Sequence, residues 1–372
     1  MKLSLKEFQQ YCLNQKVAFV SYSLPGKNAP VTLFLPESEV KEYNRISDVE
    51  ESNGFLLSPF QSENFPVIVF HDRNKAEGWE VNIRELPEPS SNRDAEPWNL
   101  EQYVLEFNQY VDQIEEIKRS IGLGEAQKVV LSRTKVWQGV DINRLPDIFE
   151  ELSHNYKSAF VYLFYTSKSG LWLGATPETL IEINHSTFST MALAGTKEFY
   201  EDVKDIIWTE KELKEHAYVA DYVRQKLLTG GYLFDESEKE TVPAGNVVHL
   251  RTLFKGKVNK GKTDWKQLVD LLYPTPAICG TESEATLQLI RKIEKHKREY
   301  YAGIIGPFNE GNETALFVNL RCMKIVGDSA VLYAGGGILS ESSAPKEWEE
   351  TEMKFNTLIQ VIIDVENKIN MN

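Results

Sequence analysis

Tyr333-Ala-Gly-Gly-Gly-Ile-Leu-Ser-Glu-Ser-Ser-Ala-Pro-Lys-Glu-Trp-Glu-Glu-Thr-Glu-Met-Lys354 is the stretch around which the rest of the chain is organised. A short apolar run, Val331 to Tyr333, leads into three glycines, Gly335 to Gly337. A polar linker follows, and then a pattern that predicts a helix. Ser343 is its expected N-cap, and Pro345 falls in its first turn, where a missing N–H costs nothing.

Three charged residues of this predicted helix share one face. Glu347, Glu350 and Lys354 stand at positions i, i+3 and i+7, and the same stripe continues into Leu358 and Ile362. Two carboxylates and an ammonium at one end of a stripe, with aliphatic residues at the other end, suggest a site at the mouth of the helix. The neighbouring glycine run would let backbone amides approach an anion there.

The composition restricts the class of protein. The chain has 372 residues, of which 42% are hydrophobic and 26% are charged, as in globular proteins of one large domain or two ordinary ones. Its net charge of −14 makes nucleic acid a poor partner. Because no apolar run approaches a membrane span and no signal-peptide core is present, we expect a cytoplasmic protein without membrane contact. The three scattered cysteines fit a reducing compartment and lack metal-ligand spacing.

Periodicity predicts helices and strands without regular βαβ alternation. Helices are expected from about Leu100 to Ile121, Thr209 to Leu228 and Glu282 to Tyr300. The segment Glu85 to Pro97 has the composition of a connector. Strands are expected at Val17–Ser23, Val31–Leu35, Val67–Phe70, Gln127–Trp137, Ala159–Tyr165, Leu171–Gly174, Thr179–Ile183, Ser189–Ala194, Asn246–Phe254 and Ala315–Ile325. This mixture indicates an α+β fold.

Two of the predicted helices carry glutamate pairs at i, i+3. Glu212 and Glu215 lie on one helix, and Glu347 and Glu350 lie on the other. Thr209 with Glu212 is also a capping-box pattern, so a structural role for Glu212 is as well supported as a ligating one. Carboxylates without histidine or cysteine suit a hard cation, and Mg²⁺ takes one or two carboxylates and leaves positions for an anionic ligand. The spacing therefore suggests a Mg²⁺ site, although surface glutamate pairs are common.

A series of short motifs then makes the chain recognisable. In order, they are Lys128-Val-Val-Leu-Ser-Arg, Gly174-Ala-Thr-Pro-Glu, Leu193-Ala-Gly-Thr, Lys214-Glu-His, Val248-His-Leu, Pro274-Thr-Pro-Ala-Ile-Cys-Gly, Tyr301-Ala-Gly, Asn319-Leu-Arg, Tyr333-Ala-Gly-Gly-Gly-Ile and Glu347-Trp-Glu-Glu followed by Lys354. The series closely resembles the chorismate-utilising enzymes, which include isochorismate synthase, salicylate synthase and the large chains of anthranilate and aminodeoxychorismate synthase. The resemblance runs from about Leu100 to the end and is loose before it.

The resemblance implies an architecture. We expect one chorismate-binding domain over residues 1–372, with residues 99–372 as its core and residues 1–98 as a divergent part of the same domain. Two large antiparallel sheets would pack at a steep angle with helices outside. The resemblance also implies Mg²⁺ as the cofactor, chorismate as the small-molecule substrate, and a monomer.

The resemblance also assigns roles in binding the two carboxylates of chorismate. Mg²⁺ would join the ring carboxylate to Glu215 and Glu350, with Glu212 and Glu347 in support. A turn at Gly195 and Thr196 would complete the cage of that carboxylate, together with the backbone of Gly335, Gly336 and Gly337 and with Lys354. The enolpyruvyl carboxylate would be held by Tyr301 and Arg321, and a guanidinium fork suits such a group.

The implied chemistry delivers a nucleophile to C2 of chorismate while the C4 hydroxyl leaves, which requires a base and an acid. Lys128 matches the general base of the family, Glu178 its general acid, and His249 a histidine near the substrate that we expect to orient it. From spacing alone, a lysine at a strand start is usually solvated and a lone histidine is usually a core residue. Family members that add ammonia carry a non-basic residue in place of Lys128, so this lysine favours water addition and no glutamine amidotransferase subunit is expected.

Other interpretations remain open on the sequence. The motif Pro-Thr-Pro-Ala, which ends at Ala277, resembles that of the isochorismate synthases, whose product feeds menaquinone or siderophore synthesis. Salicylate synthases tend to differ near that alanine, and they go on to eliminate pyruvate from isochorismate. Tyr273 departs from the family, in which many members have histidine there. A glycosidase would use paired carboxylates but leave Lys128 and Arg321 without a role. A divalent-cation-dependent binding protein would show no turnover.

Overall fold

The computed structural model describes residues 2–61, 63, 65–82, 87–88, 100–198, 203, 206–244, 247–258 and 265–370. Most of the connector expected at Glu85 to Pro97 lies outside these residues. Within them the protein has an α+β fold of two large antiparallel sheets with helices, as the sequence predicts. No helix in this part of the chain combines the length and the apolar character needed to cross a membrane.

The α-helices of the described residues are α1 (Leu5–Gln15), α2 (Phe107–Gly122), α3 (Leu145–Asn155), α4 (Glu210–Thr229), α5 (Trp265–Leu272), α6 (Ser283–Ile293) and α7 (Ala344–Asn370). The strands are β1 (Lys2–Ser4), β2 (Ala18–Ser23), β3 (Val31–Leu35), β4 (Lys41–Tyr43), β5 (Gly54–Ser58), β6 (Val67–Phe70), β7 (Lys75–Glu77), β8 (Glu80–Asn82), β9 (Val129–Gln138), β10 (Phe160–Thr166), β11 (Gly170–Thr176), β12 (Thr179–Asn184), β13 (Thr187–Glu198), β14 (Phe234–Glu236), β15 (Glu240–Ala244), β16 (Val247–Lys257), β17 (Ile304–Phe308), β18 (Glu313–Val318), β19 (Cys322–Val326) and β20 (Ser329–Ile338).

The two large sheets combine strands from distant parts of the chain. In the first sheet the order is β7-β3-β2-β10-β11-β19-β20-β9, and in the second it is β14-β16-β13-β12-β18-β17-β5-β6-β4, with β15 paired to β16. The first hundred residues supply strands to both, since β2 pairs with β10 and β5 pairs with β17. β1 and β8 form a separate two-stranded ribbon.

Strand β10 shows how the sequence builds a two-sided sheet. Because side chains alternate along a strand, Phe160, Tyr162 and Phe164 pack in the cluster shared with the second sheet. Val161 and Leu163 pack in the other cluster, against residues of helices α1, α3 and α7. All five residues are fully buried. The first sheet is thus the middle layer between the second sheet and helices α1, α3 and α7.

Local end signals place helices α4 and α7 where the sequence predicts. Thr209 and Glu212 form the expected capping box at the start of α4. Helix α7 begins at Ala344, directly after Ser343. Along α7 the predicted apolar stripe is buried, with Leu358 and Ile362 exposing 2% and 1% of their surface.

Two predicted helices are too long. The helix expected from Leu100 begins at Phe107, because Glu106 and Gln109 cap it there and residues 100–103 form a separate 3₁₀ turn. The helix expected to reach Tyr300 ends at Ile293. Beyond that end the chain turns inward, and the buried Arg298 donates to the carbonyl oxygens of Ile278 and Val130.

Three predicted turns and strands also differ from the structure. The strand expected over Ala315–Ile325 is two strands, β18 and β19, separated by a turn in which Arg321 has φ of +47°. The expected turn at Gly195 and Thr196 is an irregularity within β13, where Gly195 has φ of +75°. The glycine run Gly335 to Gly337 lies inside β20 and pairs with β9.

Candidate active site

A pocket between the two large sheets brings together most of the predicted site residues. The predicted residues that line it are Glu178, Gly195, Thr196, Glu215, His249, Ala277, Tyr301, Arg321, Gly335, Gly336, Gly337 and Lys354. The four other predicted residues lie directly behind residues that line the pocket. They are Lys128, Glu212, Glu347 and Glu350.

Lys128 directly precedes β9 and is completely buried, unlike most lysines at the start of a strand. Backbone bonds fix it, since its N–H donates to Thr281 Oγ1 and its carbonyl accepts from Thr281 N, both at 3.0 Å. Its Nζ lies 3.2 Å from Glu215 Oε1 but makes no well-oriented hydrogen bond with the described residues. A buried lysine amine with so few partners is costly for folding, which favours a functional role.

Glu178 lies in the turn between β11 and β12 with 4% of its surface exposed. Its carbonyl accepts from Val318 N at 3.0 Å, which fixes the turn. Burial raises the pKa of the carboxyl group to about 8, although the charges of Lys128 and Lys354 act in the opposite direction. Because the group therefore keeps its proton at neutral pH, it can act as a general acid.

His249 and Arg321 form a hydrogen-bonded pair in the pocket. The His249 Nδ1 lies 2.8 Å from the Gly195 carbonyl oxygen, which can only accept, so Nδ1 carries the proton. Nε2 then accepts from Arg321 Nη2 at 3.1 Å, while Arg321 Nη1 donates to Thr357 Oγ1 at 2.7 Å. Burial, reinforced by Arg321, lowers the pKa of His249 to about 3. The imidazole is therefore neutral and orients the guanidinium.

Three glutamates beside the pocket each form an ion pair with a lysine. The pairs are Glu215 with Lys128 at 3.2 Å, Glu347 with Lys211 at 2.6 Å and Glu350 with Lys354 at 2.7 Å. Burial and the neighbouring Glu350 raise the pKa of Glu347 to about 7. For Glu350, burial acts to raise the pKa, but Lys354 and Lys211 outweigh it and the pKa is lowered.

The glycine wall of β20 is what brings these groups to the pocket. A Cβ on Gly337 would overlap Glu215 Oε1 and come within 2.7 Å of Lys128 Cε. A Cβ on Gly336 would lie 3.2 Å from Glu347 Oε2 and 3.7 Å from Glu350 Oε1. The glycines thus provide space for the carboxylates within a regular strand that pairs with β9.

The donor set fits a hard divalent cation. Glu347 Oε2 is buried and makes no well-formed hydrogen bond with the described residues, so it is available as a ligand. Among the residues that the structure describes, no three His, Cys, Asp or Glu side chains form a ready-made metal cluster. A Mg²⁺ ion, which takes one or two carboxylates and completes its shell with water and an anionic ligand, is compatible with this arrangement.

Glu212 is engaged elsewhere. Its Oε2 accepts from Thr209 N at 2.8 Å and also from the Thr209 hydroxyl, and its nearest cation is Lys197 at 4.0 Å. Of the two roles that the sequence left open for Glu212, the structure shows helix capping.

Several site residues escaped the sequence analysis. The apolar part of the pocket lining includes Leu193, Ile278, Leu320 and Tyr333, which lie in the quoted motifs but were given no role there. Lys211 is the charged residue that was missed. In Thr209-Glu-Lys-Glu-Leu-Lys-Glu nothing separates it from an ordinary surface lysine, because its partner Glu347 lies 136 positions further along the chain.

Comparison with known proteins then decides the family. The family model described as chorismate binding enzyme matches residues 70–363. The chain belongs to this family. The chorismate-binding enzymes that it resembles in sequence include isochorismate synthase EntC of Escherichia coli K12, 28% identical over 77% of this chain and 76% of the relative. Isochorismate synthase DhbC of Bacillus subtilis is 26% identical over 70% of this chain and 69% of the relative.

Among solved structures of chorismate-binding enzymes, the menaquinone-specific isochorismate synthase MenF of Escherichia coli superimposes with a TM-score of 0.78. It is 18% identical, and the match covers 97% of this chain and 94% of that one. At this identity the likeness establishes the fold.

Proposed function

We propose that the protein is an isochorismate synthase, which converts chorismate to isochorismate by adding water at C2 with loss of the C4 hydroxyl. The observation that carries the proposal is the pairing of a fully buried lysine, Lys128, with a buried carboxyl group, Glu178, that keeps its proton. One pocket thus holds candidates for both proton-transfer groups that water addition requires. The named relatives act as isochorismate synthases.

In this proposal the protein's own groups divide the work. Arg321, oriented by His249 and Thr357, binds the enolpyruvyl carboxylate together with Tyr301. Lys128 in its neutral form accepts a proton from the attacking water. Glu178 donates a proton to the departing C4 hydroxyl, because hydroxide alone is a poor leaving group. The reverse reaction uses the same two groups with their roles exchanged.

The same proposal assigns the carboxylates. Glu215 and Glu350 would hold a Mg²⁺ ion together with the ring carboxylate of the substrate, and Glu347 would support it. Bound there, the cation would neutralise the ring carboxylate and draw electron density from the ring. Lys354 donates to Glu350 Oε1 and to the Gly335 carbonyl oxygen, both at 2.7 Å. These bonds would hold its ammonium beside the ring carboxylate.

Water rather than ammonia as the nucleophile means that the reaction needs no glutaminase partner. The Ala277 side chain lines the pocket, where the salicylate synthases tend to carry a different residue. We therefore assign isochorismate, and not salicylate, as the end product, and propose that it feeds menaquinone or siderophore synthesis.

Product analysis tests the proposal. The protein is incubated with chorismate, with and without MgCl₂, and the products are separated by chromatography. We expect isochorismate only with the metal, with a reversible approach to equilibrium. Salicylate together with pyruvate would identify a salicylate synthase, and unchanged chorismate in every sample would refute an enzymatic role.

A further inference from the structure

Lys211 makes a contact that the proposed chemistry does not use. It is the second residue of α4, and its Nζ donates to Glu347 Oε1 at 2.6 Å. The contact joins the helix that carries Glu215 to the helix that carries Glu347 and Glu350. Its side chain is 23% exposed, whereas that of Glu347 is 1% exposed. A surface lysine thus reaches inward to a buried carboxylate.

The other oxygen of Glu347 faces the pocket wall. Oε2 makes no well-formed hydrogen bond with the described residues, and a Cβ on Gly336 would lie 3.2 Å from it. The same Cβ would lie 3.7 Å from Glu350 Oε1. Because Lys211 occupies Oε1, the free oxygen of Glu347 is the one that lies beside Gly336, where Glu350 Oε1 also lies.

We propose that Lys211 is a positioning residue for the divalent-cation site, which fixes Glu347 so that Oε2 is presented to the metal. The inference rests on the proposed Mg²⁺ dependence and adds to it a residue outside the ligand set. Residues that orient metal ligands through a second contact are often as necessary as the ligands, and their loss typically lowers metal affinity 10- to 100-fold.

The energetic reason is the burial of Glu347. Removing one partner of a buried ion pair leaves the other charge without solvation. Without Lys211, Glu347 would lose its charged donor on Oε1 and keep the Ser342 hydroxyl as a neutral one, so its carboxylate would be held less firmly. A carboxylate free to turn no longer presents a fixed oxygen beside Glu350.

The chain offers a matched control on the same helix. Lys214 lies one turn further along α4, has a side chain that is 51% exposed, and is 3.8 Å from the exposed Glu341. Lys214→Met removes one positive charge close to Lys211 on the same helix and leaves the contact to Glu347 intact. It therefore corrects for the general effect of one positive charge on a cation site.

The experiment measures Mg²⁺ binding directly, by calorimetric titration of the substrate-free protein with MgCl₂. Lys211→Met is expected to bind Mg²⁺ 10- to 100-fold more weakly than the wild type. Lys211→Arg, which keeps a cationic donor, and Lys214→Met are expected to stay within about threefold of the wild type, since neither removes the contact to Glu347. Thermal unfolding without metal shows whether each variant is folded, and Lys211→Gln replaces Lys211→Met if that variant is not.

The outcomes separate this inference from the proposed function. Wild-type affinity, or tighter binding, in Lys211→Met would overturn the positioning role while leaving the Mg²⁺ dependence intact. An equal loss in Lys214→Met would also overturn it, because the effect would then be one of net charge. If the wild type bound no Mg²⁺ either alone or in the presence of chorismate, the metal dependence would be overturned together with the inference.

Discussion

Glu178 ties catalysis to pH. The carboxyl group must be protonated to act as the acid, and burial raises its pKa to about 8. We expect kcat/KM to fall as the pH rises through about 8, because the acid form is lost. The pH–rate profile measures this, and His249 does not contribute to that limb because burial lowers its pKa to about 3. An activity that is flat from pH 7 to pH 10 would contradict the assignment.

The variant Glu178→Gln provides a second readout of the same group. With a folded-state pKa near 8 and an ordinary value of 4.5, the folded protein binds more protons than the unfolded chain between these pH values. Wild-type stability therefore falls as the pH rises through this range. The variant has no carboxyl group to titrate, so it does not lose this stability. Its free energy of unfolding in urea, relative to that of the wild type, should therefore rise by on the order of 2–4 kcal/mol from pH 5 to pH 8. Its activity should be nearly abolished.

The proposed role of Lys128 as the general base can be tested by substitution. In Lys128→Ala the proposed base is gone, while the carboxylates, Arg321 and the glycines of β20 remain. We expect water addition to be abolished, with Mg²⁺-dependent substrate binding largely retained. Binding measured by calorimetry, next to turnover of the same preparation, separates the two effects. Normal turnover in the variant would show that another group is the base.

At the scale of elements, strand β20 couples sheet geometry to the site. In Gly337→Ala the new Cβ meets the ends of two flexible side chains, Glu215 and Lys128. The fold should survive because these ends can move, but both groups would be displaced, and a displacement of about 1 Å can cost about 10²-fold in rate. Turnover and thermal unfolding are measured together. Gly122→Ala, where a Cβ meets nothing within 4 Å, is the control and should leave both unchanged.

Substitutions of Glu212, at the start of helix α4, test whether this residue caps the helix or supports the metal. Glutamine at this position also completes a capping box with Thr209, so Glu212→Gln should keep both the thermal stability and the Mg²⁺ dependence of activity. Glu212→Ala should lose about 1 kcal/mol of stability, the typical cost of a lost cap. A marked rise in the Mg²⁺ requirement of Glu212→Gln would restore this residue to the metal site.

What could be predicted from the sequence at this scale depends on the range of the interactions. The start of α4 follows from two residues three positions apart, Thr209 and Glu212, and was predicted correctly. The end of α6 depends on Arg298, which turns inward to bond carbonyl oxygens in two distant segments. The burial of Lys128 and the contact of Lys211 also depend on residues far along the chain. The motif series suggested the candidate residues, but only the assembled sheets show which of them meet.

For the whole molecule, the first hundred residues appear in both sheets. β2 lies between β3 and β10, and β5 lies between β6 and β17, so removing residues 1–98 would expose two strand edges and the core beneath them. We expect the segment 99–372 to be insoluble, or to lack cooperative unfolding, when produced alone. Solubility and circular dichroism check this. A soluble segment with a sharp unfolding transition would show that residues 1–98 are a separate domain.

The three lysine–glutamate pairs make the pocket wall nearly electroneutral before anything binds. Arg321 would compensate one carboxylate of a dianionic substrate entering alone, but the other would bring an uncompensated negative charge, and a dication entering alone would bring two uncompensated positive ones. Entering together they add no net charge, which is far less costly in a medium of low dielectric constant. Metal and substrate should therefore bind with positive cooperativity. By reciprocity, each raises the affinity of the site for the other by the same factor.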